Sequence, residues 1–208
     1  MGLSMQLRDR EATVRTVVCD GVRRLCEAGA TLVAIACNTT QYFSAEVRDI
    51  CAEYGASFVS IVDETATVLR REGVTRFALL AIGHATDLDH YSDFGRLRPE
   101  FEVLEHNERG TERIVELAYR VKKETDSIGA MNQFNDVVKV VAGSHQADVV
   151  LLALTELSIV YANPKRRRLP FEIRDTLEIL AHALADRYLA ERWAAEGDDD
   201  GADPEDVA

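Results

Sequence analysis

Short apolar runs alternate with segments of helical period along almost the whole chain, and this alternation restricts the fold more than any other feature. Apolar runs stand at 31–36, 57–62, 77–82, 101–104 and 149–153. Each is too short for a buried helix and suits a buried strand. Between them, apolar residues recur at helical spacing over 9–28, 44–54, 64–72, 88–97, 111–123, 131–142 and 176–193. In the first of these Val14, Val17, Val18, Val22 and Leu25 form the stripe, and Gly29 stands where a helix stop is expected. Strands that alternate with helices predict an α/β fold with parallel sheets and helices packed on their faces. Ligands of such sheets bind beyond the carboxyl ends of the strands.

Charge narrows the partners. The 208 residues carry a formal charge of -12, whereas nucleic acids and anionic membranes select a basic face. Neither partner is expected. Much of the acidity is local, because Asp198, Asp199, Asp200, Asp203, Glu205 and Asp206 crowd the last residues. No apolar run approaches the ~20 residues of a membrane span. The cysteines, at 19, 26, 37 and 51, form no CxxC pair, and the first ten residues are polar. Reduced thiols in the cytoplasm are the expected state.

Two expected strand ends present reactive or polar side chains. Cys37-Asn38-Thr39-Thr40 follows the run 31–36, and Thr155-Glu156 follows 149–153. Two readings of Cys37 stand side by side. A thiolate at a strand end, flanked by hydrogen-bonding Asn and Thr, suits a nucleophile or base. Equally, Cys37 can be a small core residue while Asn38 and Thr39 cap the next helix. His84, Asp87, Asp89 and His90 share one loop, but their spacing fits no standard zinc pattern, so no metal is expected. Cys19 and Cys26 read as core packing, and His106, His145 and His182 as structural or surface residues. The basic run 165–168 between Pro164 and Pro170 reads as a solvated loop.

Ile35-Ala36-Cys37-Asn38-Thr39-Thr40 resembles the first cysteine motif of the aspartate/glutamate racemase superfamily. The run 151–157, Leu-Leu-Ala-Leu-Thr-Glu-Leu, resembles the second, normally an apolar strand ending in Gly-Cys-Thr-Glu. The segments 79–91 and 175–180 resemble the family's middle strand and loop and the opening of its last helix. The resemblance covers about residues 10–190. It implies two similar α/β lobes, N-terminally shortened. The expected lobes are 1–80 plus 171–195 and 81–170, followed by an acidic disordered tail at 196–208.

The resemblance also implies chemistry without a cofactor, on the α-carbon of an amino acid or similar small carboxylate. Cys37 becomes the acid/base, and Asn38, Thr39, Thr40, Thr155 and Glu156 become substrate-binding residues, with Asn38, Thr39 and Thr155 on the carboxylate. Leu154 stands where the family has its second cysteine, and Ala153 where it has Gly. Leucine moves no proton, so His84 or His90 is the candidate substitute acid/base. Gln41 replaces a frequent His, and the family's opening strand is missing. The alternatives to a racemase are a one-cysteine decarboxylase or isomerase, and a non-catalytic homologue that binds a small carboxylate. A homodimer is expected.

Overall fold

The computed structural model describes residues 7–124, 128–145, 147–164 and 169–199. The described chain runs α1 (Leu7–Glu27), β1 (Leu32–Ala34), α2 (Ser44–Glu53), β2 (Ser57–Val59), α3 (Ile61–Arg71), β3 (Arg76–Leu80), β4 (Glu102–Leu104), α4 (Glu108–Lys123), α5 (Ile128–His145), β5 (Val149–Leu152), α6 (Thr155–Tyr161), β6 (Ile173–Asp175) and α7 (Thr176–Asp199). All strand pairs are parallel. β1 and β2 form one sheet, and the other has the order β4-β3-β5-β6. The α/β architecture is therefore the one that the alternation requires. Among the described residues, no helix is long and apolar enough to cross a membrane.

The larger sheet shows why its strands lack polar alternation. Successive side chains of a strand point to opposite faces. Here Ala78, Leu80, Val150 and Leu152 enter one core with residues of α4, α5 and α6. Phe77, Leu79, Val149 and Leu151 enter the other with residues of α3 and α7. With helices on both faces, neither side of the strand meets water, and a continuous apolar run is the result. A third core joins α1 and α2 to Val33 of β1. Gly29 ends α1 at φ 90°, a conformation that glycine adopts without strain.

Several elements differ from expectation. The segment 88–97 is not a helix. The Asp87 carbonyl collects the N–H groups of His90, Tyr91 and Ser92, and the Ser92 hydroxyl donates to the Ala85 carbonyl. The chain then doubles back until a Cβ on Gly95 would lie 1.9 Å from the Leu88 carbonyl oxygen. Only a 3-10 turn over Asp93–Leu97 survives. The strand at 57–62 ends at Val59, because the Ser60 side chain accepts from the Asp63 N–H and starts α3 early. Two elements were hidden in the sequence: α6 has seven residues and β6 only three. β3 and β6, which the expected boundaries put in the first lobe, pair into the larger sheet. α7 runs through the Ala- and Glu-bearing segment beyond Trp193 to Asp199. The rest of the acidic tail, and the basic run 165–168, lie outside the described residues.

A structural repeat emerges that no fixed sequence period announces. The order α1-β1-α2-β2-α3 recurs as α5-β5-α6-β6-α7, each with its two strands parallel and adjacent. The closing helices of the two units, α3 and α7, pack on each other. The ends of β1 and β5 are thereby equivalent places in two similar units.

Candidate active site

The chain leaves β1 at Ala34 and turns through Cys37 and Asn38 into a 3-10 turn, Thr39–Phe43. Cys37 is half-buried, whereas Cys19, Cys26 and Cys51 are buried in the α1–α2 core. Burial and the neighbouring Cys26 push the Cys51 thiol up to about 11. Those three thiols are packing residues, as Cys19 and Cys26 were expected to be. Of the four, Cys37 is the one that is not buried.

Asn38 is 6% exposed and reaches across to the second unit. Its Nδ2 donates to Thr176 Oγ1 at 3.2 Å, and Thr176 Oγ1 donates to the Leu152 carbonyl at 2.9 Å. A threonine hydroxyl has one hydrogen. Because that hydrogen goes to Leu152, Thr176 must accept from Asn38, and the amide orientation of Asn38 follows. Asn38 Oδ1 is then left buried with no hydrogen-bond partner among the described residues. An unpaired buried acceptor costs about 1–3 kcal/mol, and a ligand with an N–H or O–H would satisfy it.

The equivalence of the two strand ends extends to their side chains. Four residues after Cys37, Gln41 donates to the Cys37 carbonyl at 3.4 Å and the Ile35 carbonyl at 2.9 Å. It also accepts from the Ser60 hydroxyl at the end of β2. Four residues after Leu154, the Ser158 hydroxyl lies 3.5 Å from the Leu154 carbonyl and donates to Asp175 Oδ1, at the end of β6, at 2.8 Å. Each unit thus ties its first strand end to its second in the same way. Cys37 and Leu154 each lie four residues before the side chain that makes this link. Burial pushes the Asp175 carboxyl above its ordinary range, against the pull of the Ser158 hydroxyl and the Leu177 N–H.

With this geometry in view, comparison with known proteins is decisive for the family. The model of the Asp/Glu/hydantoin racemase family matches residues 3–184. The chain belongs to that family. No match is found among curated proteins. Among solved structures it is similar to an aspartate racemase homologue from Pyrococcus horikoshii OT3, at 22% identity and a TM-score of 0.67, covering 89% of this chain and 80% of that one. It is also similar to the aspartate racemase of Picrophilus torridus, at 23% and 0.63, covering 83% and 68%. A glutamate racemase from Francisella tularensis, solved with D-glutamate, follows at 12% and 0.64, covering 87% and 65%. These likenesses show the shared two-sheet α/β fold.

The remaining candidates of this racemase-family chain separate clearly. Thr40 Oγ1 donates to the Cys37 carbonyl, which fixes the turn. Leu154, Thr155 and Glu156 are half-buried at the start of α6, where Leu154 packs on the larger core. The Thr155 hydroxyl donates to Glu156 Oε2 at 3.1 Å, and Glu156 Oε1 lies 2.8 Å from Lys122 Nζ. Burial opposes the charge on Glu156, but Lys122 and the other donors outweigh it and hold the carboxyl below the ordinary glutamate range. His84 accepts the Arg8 N–H at its Nε2 and leans on Tyr91, whose ring lies 5.3 Å from Tyr42 in the turn after Cys37. His90 is 74% exposed and paired with Asp87, while Asp89 pairs with Arg98. Thr176 and Lys122 escaped the sequence reading. Thr176 follows a strand too short to notice, and nothing in the pattern links Lys122 to a residue 34 positions on.

The bridge carries a stability prediction. Thr176→Val keeps the shape but leaves Asn38 Nδ2 and the Leu152 carbonyl unpaired, and should cost about 2 kcal/mol in urea unfolding. Thr176→Ser keeps the hydroxyl and should cost well under half as much. Equal losses in both variants would remove the bridge from the account.

Proposed function

We propose that this protein moves a proton at the α-carbon of an amino acid or similar small carboxylate, with Cys37 as the acid/base. The observation that carries this reading is the buried Asn38 Oδ1, unpartnered among the described residues, next to the half-buried Cys37. Thr155 points the same way. Its hydrogen goes to Glu156, so it offers a ligand only lone pairs. Two acceptors at two strand ends suit an ammonium group, which moves Thr155 from the carboxylate, where the resemblance put it, to the amine. The second Nδ2 hydrogen of Asn38, together with Thr39, is then free for the carboxylate. Family membership and the racemases among the structural relatives support the same substrate class. The proposed chemistry uses side chains alone.

In this reading the Cys37 thiolate takes the α-proton, breaking C–H and forming S–H, and the site's donors stabilise the carbanion. The thiol exchanges its proton with solvent and returns one to the same face. Leu154 has no proton to deliver to the other face. His84 is a poor substitute while Nε2 holds the Arg8 N–H, and His90 lies out in solvent. The one-sided arrangement favours stereospecific exchange, or a decarboxylation ending in protonation from one face, over racemisation. A non-catalytic binder of a small carboxylate is the second reading, and it is favoured by the same Leu154.

Aspartate and glutamate enantiomers incubated in heavy water separate these readings. The expected result is α-deuterium exchange of one enantiomer with little inversion, lost in Cys37→Ala and converted to inversion by Leu154→Cys. No exchange by the natural chain with any amino acid, and no effect of Cys37→Ala on ligand affinity, would leave the binder.

We also read the chain as a cytoplasmic homodimer. Four free cysteines support the compartment. Val17 and Leu25, more than half exposed on α1, support pairing, as does β1, which among the described strands pairs with β2 alone. Light scattering at micromolar concentration should give about twice the 23.1 kDa chain mass. A monomer mass would contradict it.

A further inference from the structure

The candidate site has an electrostatic difficulty. The chain carries a net charge of -12, and two of its acids, Glu156 just beyond β5 and Asp175 at the end of β6, stand beside the candidate site. A ligand carboxylate entering there meets like charge. The two acids are handled differently. Asp175 is 5% exposed and held by the Ser158 hydroxyl and the Leu177 N–H, and burial favours its neutral form. Glu156 is ionised, and its charge has to be cancelled from outside.

The group that does so comes from a distant element. Lys122 stands in the last turn of α4, where the helix dipole favours a cation, and α4 packs against α6. Its Nζ is 2.8 Å from Glu156 Oε1 and 5.9 Å from the centre of the Tyr119 ring. The Glu156 side chain is 14% exposed and that of Lys122 56%, so the pair has one buried and one solvent-facing partner and remains open to screening by salt. With Oε1 pinned by Lys122, Oε2 stays on the Thr155 hydroxyl and fixes which way that hydroxyl points.

We propose that Lys122 is a positioning residue of the site: it neutralises Glu156 and holds it on Thr155, so that the second strand end admits a molecule bearing a carboxylate. Lys122 touches no reacting atom and acts through Glu156. The proposal rests on the reading of the site given above, but its test does not depend on turnover.

The probe is the labelling of Cys37 by iodoacetate and by iodoacetamide, followed by peptide mass spectrometry on the reduced full-length protein. Both reagents alkylate the same thiolate and expel iodide. Their rate ratio therefore cancels any change in the reactivity of Cys37 and reports the local potential. For an assumed separation of ~10 Å and an effective dielectric of ~50, one uncompensated charge changes the ratio about threefold. Lys122→Gln should lower the iodoacetate to iodoacetamide ratio by about that factor at low salt. Lys122→Arg should restore it, and ~0.5 M salt should erase the difference. Glu156→Gln, which leaves Lys122 uncompensated, should raise the ratio about threefold, and it keeps the test alive if Lys122→Gln folds poorly. An unchanged ratio in either glutamine variant, or an equal fall in Lys122→Arg, overturns the proposal. If the ratios move as expected while no amino acid exchanges its α-proton, Lys122 keeps its role for a carboxylate binder and the α-carbon chemistry falls.

Discussion

The bridge from Asn38 through the Thr176 hydroxyl to the Leu152 carbonyl is the contact on which the site depends. It joins the end of β1, in the small sheet, to the ends of β5 and β6, in the large one. Its three groups are buried, so water cannot replace a lost partner, and the orientation of each is fixed by the next. Through it, the turn that bears Cys37 is tied to the ends of the two strands that lead to Thr155-Glu156 and to α7. The bridge also leaves Asn38 Oδ1 over, a buried acceptor that no described residue supplies.

The recurrence of one five-element unit explains why two strand ends carry related equipment. Gln41 and Ser158 are different residues in one role, each linking the carbonyl four positions back to the polar residue that ends the neighbouring strand. Cys37 and Leu154 stand at matching steps of the two units, each four residues before the linking side chain. In the proposed reading one of them carries a proton and the other does not, and that asymmetry separates exchange from racemisation.

Much of the fold was legible in the sequence, for definite reasons. The strands β3 and β5 show as apolar runs because both their faces are covered, and Cys37-Asn38-Thr39 stands out as a polar group close behind such a run. What stayed hidden was set by contacts between distant segments. β6 has three residues, too few for any period to register. The helical spacing over 88–97 was real, but the Asp87 carbonyl and the close approach of Gly95 to Leu88 overrode it. Thr176 and Lys122 matter only through partners 138 and 34 positions away, and no local pattern carries that information. The amide orientation of Asn38 likewise follows from a bond that only the folded chain makes.

The most direct test of the account is a crystal structure of the protein soaked with aspartate. The account predicts the ligand's ammonium within hydrogen-bonding distance of Asn38 Oδ1, about 3 Å. It further predicts the α-carbon in contact with Cys37 Sγ on one face and with the Leu154 side chain on the other. A ligand seated away from the Asn38–Thr176 bridge, with Asn38 Oδ1 still unpaired, would contradict it.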